Sequence, residues 1–258
     1  MRLLIIRHAD PEYHGDTLTA HGHLEAAALA DRLASGVNQR VPTHLYTSPL
    51  GRARDTAAYT EKKLGMVAEV EEWTKELSEW GRIVKGSGRP GEGGLALWDT
   101  PGEFLRDFDP PLTHECQWTR FDDLGPARQN FDTLCAHSDA FLARHGFVRE
   151  GGKYRVMRQR SEDQIAVFCH GGFGLAWLAH LLQMPLAMAF ASFHLTPSSV
   201  TTVLFDQRSE DFATPRLIGL GDASHMYAAG LSTIDSKYEK PNPYNSEPRP
   251  SGVKGNFW

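Results

Sequence analysis

Short continuous apolar runs alternate with amphipathic stretches along most of the chain. The runs at residues 3–6 and 165–169 contain no polar side chain, which is typical of strands buried on both faces of a sheet. Further strands are predicted at residues 44–47, 67–70, 200–205 and 216–219. Apolar residues at helical spacing predict helices at residues 19–35, 50–64, 126–144 and 171–182. Strands that alternate with helices indicate an α/β fold, a three-layer α/β/α sandwich around a mostly parallel central sheet.

The alternation breaks down between residues 82 and 150. Residues 86–94 are dominated by glycine, and residues 98–125 are rich in aromatics, proline and aspartate without clear periodicity. We therefore expect a single domain over residues 1–258, in which 82–150 forms an inserted cap-like region over one end of the sheet. Residues 235–258 carry four prolines and few apolar residues before Phe257 and Trp258, so an extended C-terminal tail is predicted.

Composition excludes several classes of partner. The net charge of −5 argues against nucleic-acid binding, which needs clustered lysine and arginine. No apolar run reaches the roughly 18 to 20 residues of a membrane span, so no membrane partner is expected. Three widely spaced cysteines fit reduced thiols, and the apolar N-terminal run is too short for a signal peptide. The expected location is the cytoplasm, and a homo-oligomer remains open.

Two of the predicted buried strands end in a histidine. Arg7 and His8 follow the first strand, and His170 follows the strand at 165–169. Ligands bind at the carboxyl ends of strands in open α/β sheets, so the two imidazoles are expected side by side. Gly171 and Gly172 then begin a helix, whose backbone N–H groups can face an anion.

Histidine pairs elsewhere do not complete a metal site. His21 with His23 and His114 with Cys116 offer suitable donors, but no four-ligand pattern includes them. The glycine-rich stretch at 86–94 lacks the Lys-Ser/Thr of a phosphate-binding P-loop. We therefore predict neither a metal nor a cofactor.

Four motifs occur in one order along the chain. They are Arg7-His8-Ala9, the segment Ser48-Pro49-Leu50-Gly51-Arg52-Ala53-Arg54-Asp55-Thr56, Leu77-Ser78-Glu79 and Cys169-His170-Gly171-Gly172. The set resembles the histidine phosphatase superfamily, which includes cofactor-dependent phosphoglycerate mutases and many small-molecule phosphatases. Its Arg-His-Gly motif has Ala9 in place of glycine here. Its Ser-x-Leu-x-Arg-Ala-x-x-Thr pattern selects Arg52 rather than Arg54.

The resemblance implies a metal-independent hydrolase of phosphomonoesters that works through a phosphohistidine on His8. Arg7, Arg52, His170 and Gly171 would bind the phosphate. The chemistry of the residues supports this independently, because arginines grip phosphate oxygens bidentately and their charge favours a neutral, nucleophilic imidazole.

The proton donor to the leaving group is assigned to Glu79 on the Leu-x-Glu pattern of the family. Glu79 belongs to an acidic cluster with Glu71, Glu72 and Glu76, and such clusters are usually solvated faces. Asp10 is the rival, because it lies two residues after His8.

The chain departs from the family pattern at two places that bear on its activity. The asparagine that many members place shortly after the catalytic histidine is missing from residues 10–14, unless His14 supplies its contact. Trp80, Gly81 and Arg82 stand where the mutases carry Arg-His-Tyr-Gly. A phosphatase acting on a small phosphorylated metabolite is therefore predicted ahead of a mutase. The alternative of a catalytically silent phospholigand-binding protein is less favoured because Arg7, His8, Arg52 and His170 are all intact. Substrate choice is expected to reside in 82–150, where Trp98 either packs or lines the pocket.

Overall fold

The computed structural model describes residues 1–37, 40–78, 80, 98, 106, 113, 127–158 and 161–232. Its strands are β1 (Arg2–Arg7), β2 (Pro11–Glu12), β3 (Thr17–Leu18), β4 (His44–Thr47), β5 (Glu69–Val70), β6 (Phe147–Glu150), β7 (Lys153–Val156), β8 (Gln164–Cys169), β9 (Val200–Gln207) and β10 (Phe212–Asp222). Its helices are α1 (Ala20–Ser35), α2 (Gly51–Leu64), α3 (Ala127–Arg144), α4 (Gly171–Leu182), α5 (Leu186–Ser192) and α6 (Ser224–Ala228), with a 3-10 turn at Glu72–Thr74.

Eight strands form one mixed sheet in the order β5-β4-β8-β1-β9-β10-β7-β6. The ladders that join β5, β4, β8 and β1 are parallel, and the remaining ladders are antiparallel. Six of the eight strands nevertheless point the same way, with only β9 and β7 reversed. The short β6–β7 and β9–β10 connections impose the antiparallel half, because a parallel pair needs a longer crossover.

Strand β1 contributes to the core on both faces of the sheet. Leu3 and Ile5 pack into the cluster beneath α3 and α4, whereas Leu4 and Ile6 pack into the cluster beneath α1 and α2. Successive side chains of a strand point to opposite faces, so an unbroken apolar run is what a central strand requires. Burying each such side chain contributes roughly 1.5–3 kcal/mol. The predicted three-layer α/β/α sandwich is confirmed.

The described residues also locate part of the predicted insertion. Helix α3 packs on the sheet, and β6 is an edge strand of that sheet, so residues 127–150 belong to the sandwich itself. Strand β6 was not predicted, because its side chains are partly exposed and lack an apolar run. For residues 82–126 the cap remains a prediction, and most of them lie outside the described residues. The predicted tail at 235–258 lies outside them as well.

The first helix is tied to the segment that follows His8. Thr19 is the N-cap of α1 and accepts a hydrogen bond from the N–H of Gly22. Gly22 packs so closely against the backbone of Asp10 that a Cβ at position 22 would collide with the Asp10 carbonyl oxygen. Helix α1 therefore fixes the path of the chain immediately after the end of β1.

Across the described part of the chain, none of the helices combines the length and apolar character that crossing a membrane requires.

Candidate active site

His8 and His170 lie side by side at the carboxyl end of the sheet. Strands β1 and β8 are parallel neighbours with Arg7 opposite Cys169, and the N–H of His8 donates to the carbonyl of Cys169 at 2.9 Å. The centroids of the two imidazole rings are 5.2 Å apart. Both side chains are almost fully buried. The register of two strands more than 150 residues apart in sequence thus produces the predicted histidine pair.

The protonation of His8 suits a nucleophile. Its Nδ1 lies 2.8 Å from the carbonyl oxygen of Ala9, and a carbonyl only accepts, so Nδ1 carries the hydrogen and Nε2 keeps its lone pair. Burial holds the pKa of His8 well below its ordinary value, and the charges of Arg7 and Arg52 lower it further. The imidazole is therefore neutral at physiological pH.

Arg7 and Arg52 both approach this histidine pair. Arg7 Nη1 donates to the carbonyl of Leu195 at 2.5 Å, and Arg52 Nη1 donates to Asp16 Oδ1 at 2.5 Å. The Nε of each arginine is buried and has no partner among the described residues. Arg54, the alternative that the sequence pattern rejected, is exposed.

The β2–β3 hairpin occupies the stretch in which the family's asparagine is missing. Asp16 at its end has a φ of 49°, a left-handed conformation that aspartate tolerates better than most residues. Its carboxylate accepts from the N–H of Gly51 at 2.6 Å as well as from Arg52. A Cβ on Gly51 would collide with the carbonyl oxygen of Asp16. Sequence reasoning missed Asp16, since its partner lies 36 residues away and no local pattern reports the contact.

Residues 48–56 hold both histidines as well as supplying Arg52. Ser48 Oγ lies 2.8 Å from His170 Nε2, and Thr56 Oγ1 accepts from the N–H of Ala9, next to His8, at 3.0 Å. Both hydroxyl-bearing residues are fully buried. The serine of the sequence pattern therefore contacts the imidazole of His170, and the threonine holds the backbone next to His8.

Three buried nitrogen atoms near the histidine pair, two of them arginine N–H donors, have no partner in the described part of the protein. They are Arg7 Nε, Arg52 Nε and His170 Nδ1. The first turn of α4 adds backbone N–H groups, and its first residue, Gly171, would place a Cβ 3.3 Å from Arg7 Nε. Buried polar groups are normally hydrogen-bonded, so this set of donors indicates a site for an anion.

Among the described residues, Glu76 is a carboxylate that lies beside this anion site, next to Gly172 in the first turn of α4. Its Oε1 accepts from the N–H of Phe173 in α4 at 3.0 Å and from its neighbour Leu77 at 3.1 Å. Burial raises the pKa of Glu76, while these backbone bonds and the charges of Arg7 and Arg52 act in the opposite direction. With Oε1 so engaged, Oε2 is the oxygen that can carry a proton.

The other carboxylates of the sequence analysis have different surroundings. Glu79 lies outside the described residues, so its assignment stays a prediction. Asp10 is buried, and its Oδ2 accepts from Thr19 Oγ1 at 2.6 Å at the start of α1. Glu71 pairs with Arg144 of α3 and accepts from Trp73 Nε1. The contacts of Glu71 therefore connect the 3-10 turn to α3.

Trp98 adjoins the same end of α4. A Cβ on Gly172 would lie 2.7 Å from Trp98 Cδ2 and 2.9 Å from Glu76 Oε1, so indole and carboxylate both contact this glycine. Trp98 also packs on the main core. The indole of Trp98 therefore packs against the core and also borders the site. The packing role and the pocket-lining role considered in the sequence analysis are thus compatible.

Within the described residues, no three histidine, cysteine or acidic side chains cluster in a way that would hold a metal ion.

Buried neutral histidines make the stability of the fold dependent on pH. Burial lowers the pKa of His8 and His170 well below 6.5 and lowers that of His145 and His225 to about 4. The unfolded chain therefore binds more protons than the folded protein as the pH falls below 6.5, and stability falls with it. His145 and His225 each contribute at most about 3 kcal/mol to this loss.

Two carboxyls oppose the trend without cancelling it. Burial raises the pKa of Glu25 to about 7 and also raises that of Glu76, so these groups favour the folded state as the pH falls. We expect the Tm to fall by on the order of 10 °C between pH 7 and pH 4.5, measured by calorimetry. His225→Gln, which can keep the contact with Ser198 Oγ, should make that slope shallower. An unchanged slope in this variant would contradict the assignment.

Comparisons with known proteins agree with this geometry. Residues 3–84 match the family described as histidine phosphatase superfamily (branch 1). A search of curated proteins found no match to the chain. Among solved structures, the chain is similar to a phosphoserine phosphatase from Entamoeba histolytica in complex with phosphoserine, with 20% identity, 87% of this chain and 98% of that chain covered, and a TM-score of 0.55. It is also similar to a mycobacterial glucosyl-3-phosphoglycerate phosphatase with inorganic phosphate, with 21% identity, 87% and 98% covered, and a TM-score of 0.53.

Proposed function

We propose that this chain, of which residues 3–84 match the histidine phosphatase superfamily, hydrolyses phosphomonoesters of small metabolites through a covalent phosphohistidine on His8. The observation that carries the proposal is the group of unpartnered buried donors beside a neutral His8. A phosphomonoester is largely dianionic at neutral pH. Its oxygens supply the acceptors that Arg7 Nε, Arg52 Nε and His170 Nδ1 lack.

In the first step His8 Nε2 attacks phosphorus and the bond from phosphorus to the ester oxygen breaks. Protonated Glu76 Oε2 gives its proton to the departing alkoxide. The pKa of Glu76 is raised by burial, which favours the protonated form that this step needs. Arg7, Arg52 and His170 stabilise the charge on the equatorial oxygens as the phosphoryl group passes to nitrogen.

In the second step a water molecule attacks the phosphohistidine. Glu76, now a carboxylate, accepts a proton from the water, the P–N bond breaks, and inorganic phosphate and neutral His8 are regenerated. Proton and phosphoryl group are thereby balanced over the cycle, and neither a metal nor a cofactor takes part.

Small phosphorylated metabolites are the expected substrates. Similar structures include phosphatases named for phosphoserine and for glucosyl-3-phosphoglycerate, which supports a phosphatase acting on a phosphorylated small molecule. Trp98 beside Glu76 gives the leaving-group side an aromatic surface.

The direct test is to trap the intermediate. Purified protein is mixed with a ³²P-labelled phosphomonoester in the presence of a chelator and quenched in alkali within milliseconds. We expect label on the protein that is stable to base and lost in acid, as a phosphoramidate is, and that maps to His8. Hydrolysis without any such label, or hydrolysis that the chelator abolishes, would overturn the proposed mechanism.

A further inference from the structure

We infer that Ser48 is a positioning residue that sets the tautomer of His170, so that His170 presents an Nδ1–H group to the phosphate. The inference rests on the proposed function for its consequence in catalysis, but not for the tautomer itself. Ser48 follows β4, and His170 follows the neighbouring strand β8. The N–H of Ser48 donates to the carbonyl of Phe168 at 2.8 Å, which extends the ladder and fixes the serine beside the histidine.

The hydrogen bond between Ser48 and His170 has a preferred direction. Ser48 Oγ lies 2.8 Å from His170 Nε2, and the N–H of Leu50 approaches the same oxygen at 3.4 Å. If the hydroxyl donates to Nε2, its hydrogen is satisfied and its lone pairs receive the N–H of Leu50. If Nε2 donated instead, the hydroxyl hydrogen would be left without an acceptor among the described residues. An unmade bond of this kind costs about 1–3 kcal/mol in a buried site.

The remaining nitrogen of His170 gives independent support. Nδ1 is buried and has no partner in the described regions, and the side chain as a whole is fully buried. With Nε2 as the acceptor, Nδ1 carries the hydrogen and is a donor beside Arg7 Nε and Arg52 Nε. The other tautomer would direct a lone pair at phosphate oxygens, which also carry lone pairs and negative charge. Only the first arrangement makes the whole group of unpartnered atoms donors.

Because His170 is buried, it is neutral, and the position of its single ring hydrogen becomes important. The pKa of His170 is held well below its ordinary value by burial first, and the nearby imidazole of His8 and the charges of Arg52 and Arg7 lower it further. His170 is therefore neutral, and a neutral imidazole has one hydrogen to place. Ser48 decides where that hydrogen resides, in the way that a second hydrogen bond orients a metal-bound imidazole.

The tautomer is measured directly in the free protein by long-range ¹H–¹⁵N correlation of the histidine rings. The signals of His170 are identified by their loss in His170→Gln. We expect an Nδ1–H pattern in the wild type, and a shift towards the Nε2–H pattern in Ser48→Ala. An Nε2–H pattern in the wild type would overturn the inference, whether or not the protein hydrolyses phosphoesters.

Kinetics distinguish positioning from a general structural effect. For Ser48→Ala we expect a loss of about 10- to 100-fold in kcat with a smaller change in KM, because the misplaced hydrogen matters most as charge grows on the phosphoryl oxygens. Ser48→Thr keeps the hydroxyl and should recover most of the activity. Thr60→Ala is the matched control, since Thr60 is a buried hydroxyl residue of α2 whose Oγ1 has no partner among the described residues.

The outcomes separate this inference from the proposed function. Equal kcat in Ser48→Ala and Thr60→Ala would overturn the role of Ser48 while leaving the phosphatase intact. No hydrolysis by the wild type would overturn the proposed function, and the ring correlations would still decide the tautomer. If Ser48→Ala does not fold, the wild-type pattern and the activity of Ser48→Thr carry the test.

Discussion

Replacing His8 with alanine should reduce kcat/KM for phosphomonoester hydrolysis by a factor of about 10⁴ or more. In the proposed mechanism His8 Nε2 forms the bond to phosphorus, and no neighbouring group can replace it. Arg7, Arg52 and His170 remain in His8→Ala, and the variant should still bind inorganic phosphate. The measurement is hydrolysis of an aryl phosphate in the presence of a chelator, paired with calorimetric titration of phosphate.

His137→Ala serves as the control for the loss of a histidine. His137 is exposed on α3, where it stacks on Trp73, and its removal should leave kcat/KM within about twofold. Activity of His8→Ala comparable to that of the wild type would remove His8 from the role of nucleophile. Loss of both activity and phosphate binding would instead show that the variant is misfolded, which the Tm measures; His8→Gln then repeats the test.

Replacing Glu76 with glutamine should separate the two halves of the reaction. With an alkyl phosphate the leaving group needs a proton, and kcat should fall by about 10²- to 10⁴-fold. With a nitrophenyl phosphate the leaving group departs unaided, so the first step survives while phosphohistidine hydrolysis lacks its base. We expect a burst of about one nitrophenolate per active site followed by slow turnover, measured by stopped flow. Glutamine keeps an oxygen for the N–H groups of Leu77 and Phe173.

The matched control is Glu79→Gln, which replaces the carboxylate that the sequence pattern selected. If Glu76 is the donor, Glu79→Gln shows no burst with the nitrophenyl ester. A burst in Glu79→Gln and none in Glu76→Gln would reverse the assignment. The pH profile gives a second readout with the alkyl ester: wild-type activity falls as rising pH deprotonates the acid, and that decline disappears in the variant of the donor.

The sequence predicts the histidine pair well because two neighbouring strands bring the side chains together. Apolar runs mark β1 and β8 as central strands, and parallel strands end at one edge, so the histidine pair follows from periodicity alone. The pattern around Arg52 distinguishes it from Arg54 without a structure, and the structure places Arg52 against Asp16 and leaves Arg54 exposed.

The surroundings of Glu76 are harder to predict, because this residue lies in a segment without regular secondary structure. Glu76 and Glu79 are three residues apart in one acidic cluster, and no periodicity there states which carboxylate turns inward. The contact that singles out Glu76 is made by the N–H of Phe173, 97 residues away. Asp16 eluded prediction for the same reason. Strands β6 and β7 were missed because each spans only four residues, two of them charged, and neither contains a continuous apolar run.

The segment that links Ser48 to Thr56 has a consequence for how such a site can diverge. One stretch of nine residues supplies Arg52, contacts the imidazole of His170 and holds the backbone next to His8. A substitution within this stretch should disturb Arg52, His8 and His170 together. The effects of combined substitutions there should therefore be strongly non-additive. Substitutions around Glu76 and Trp98 should therefore change which leaving groups are accepted. A substitution within residues 48–56 should instead impair the proposed phosphate site as a whole.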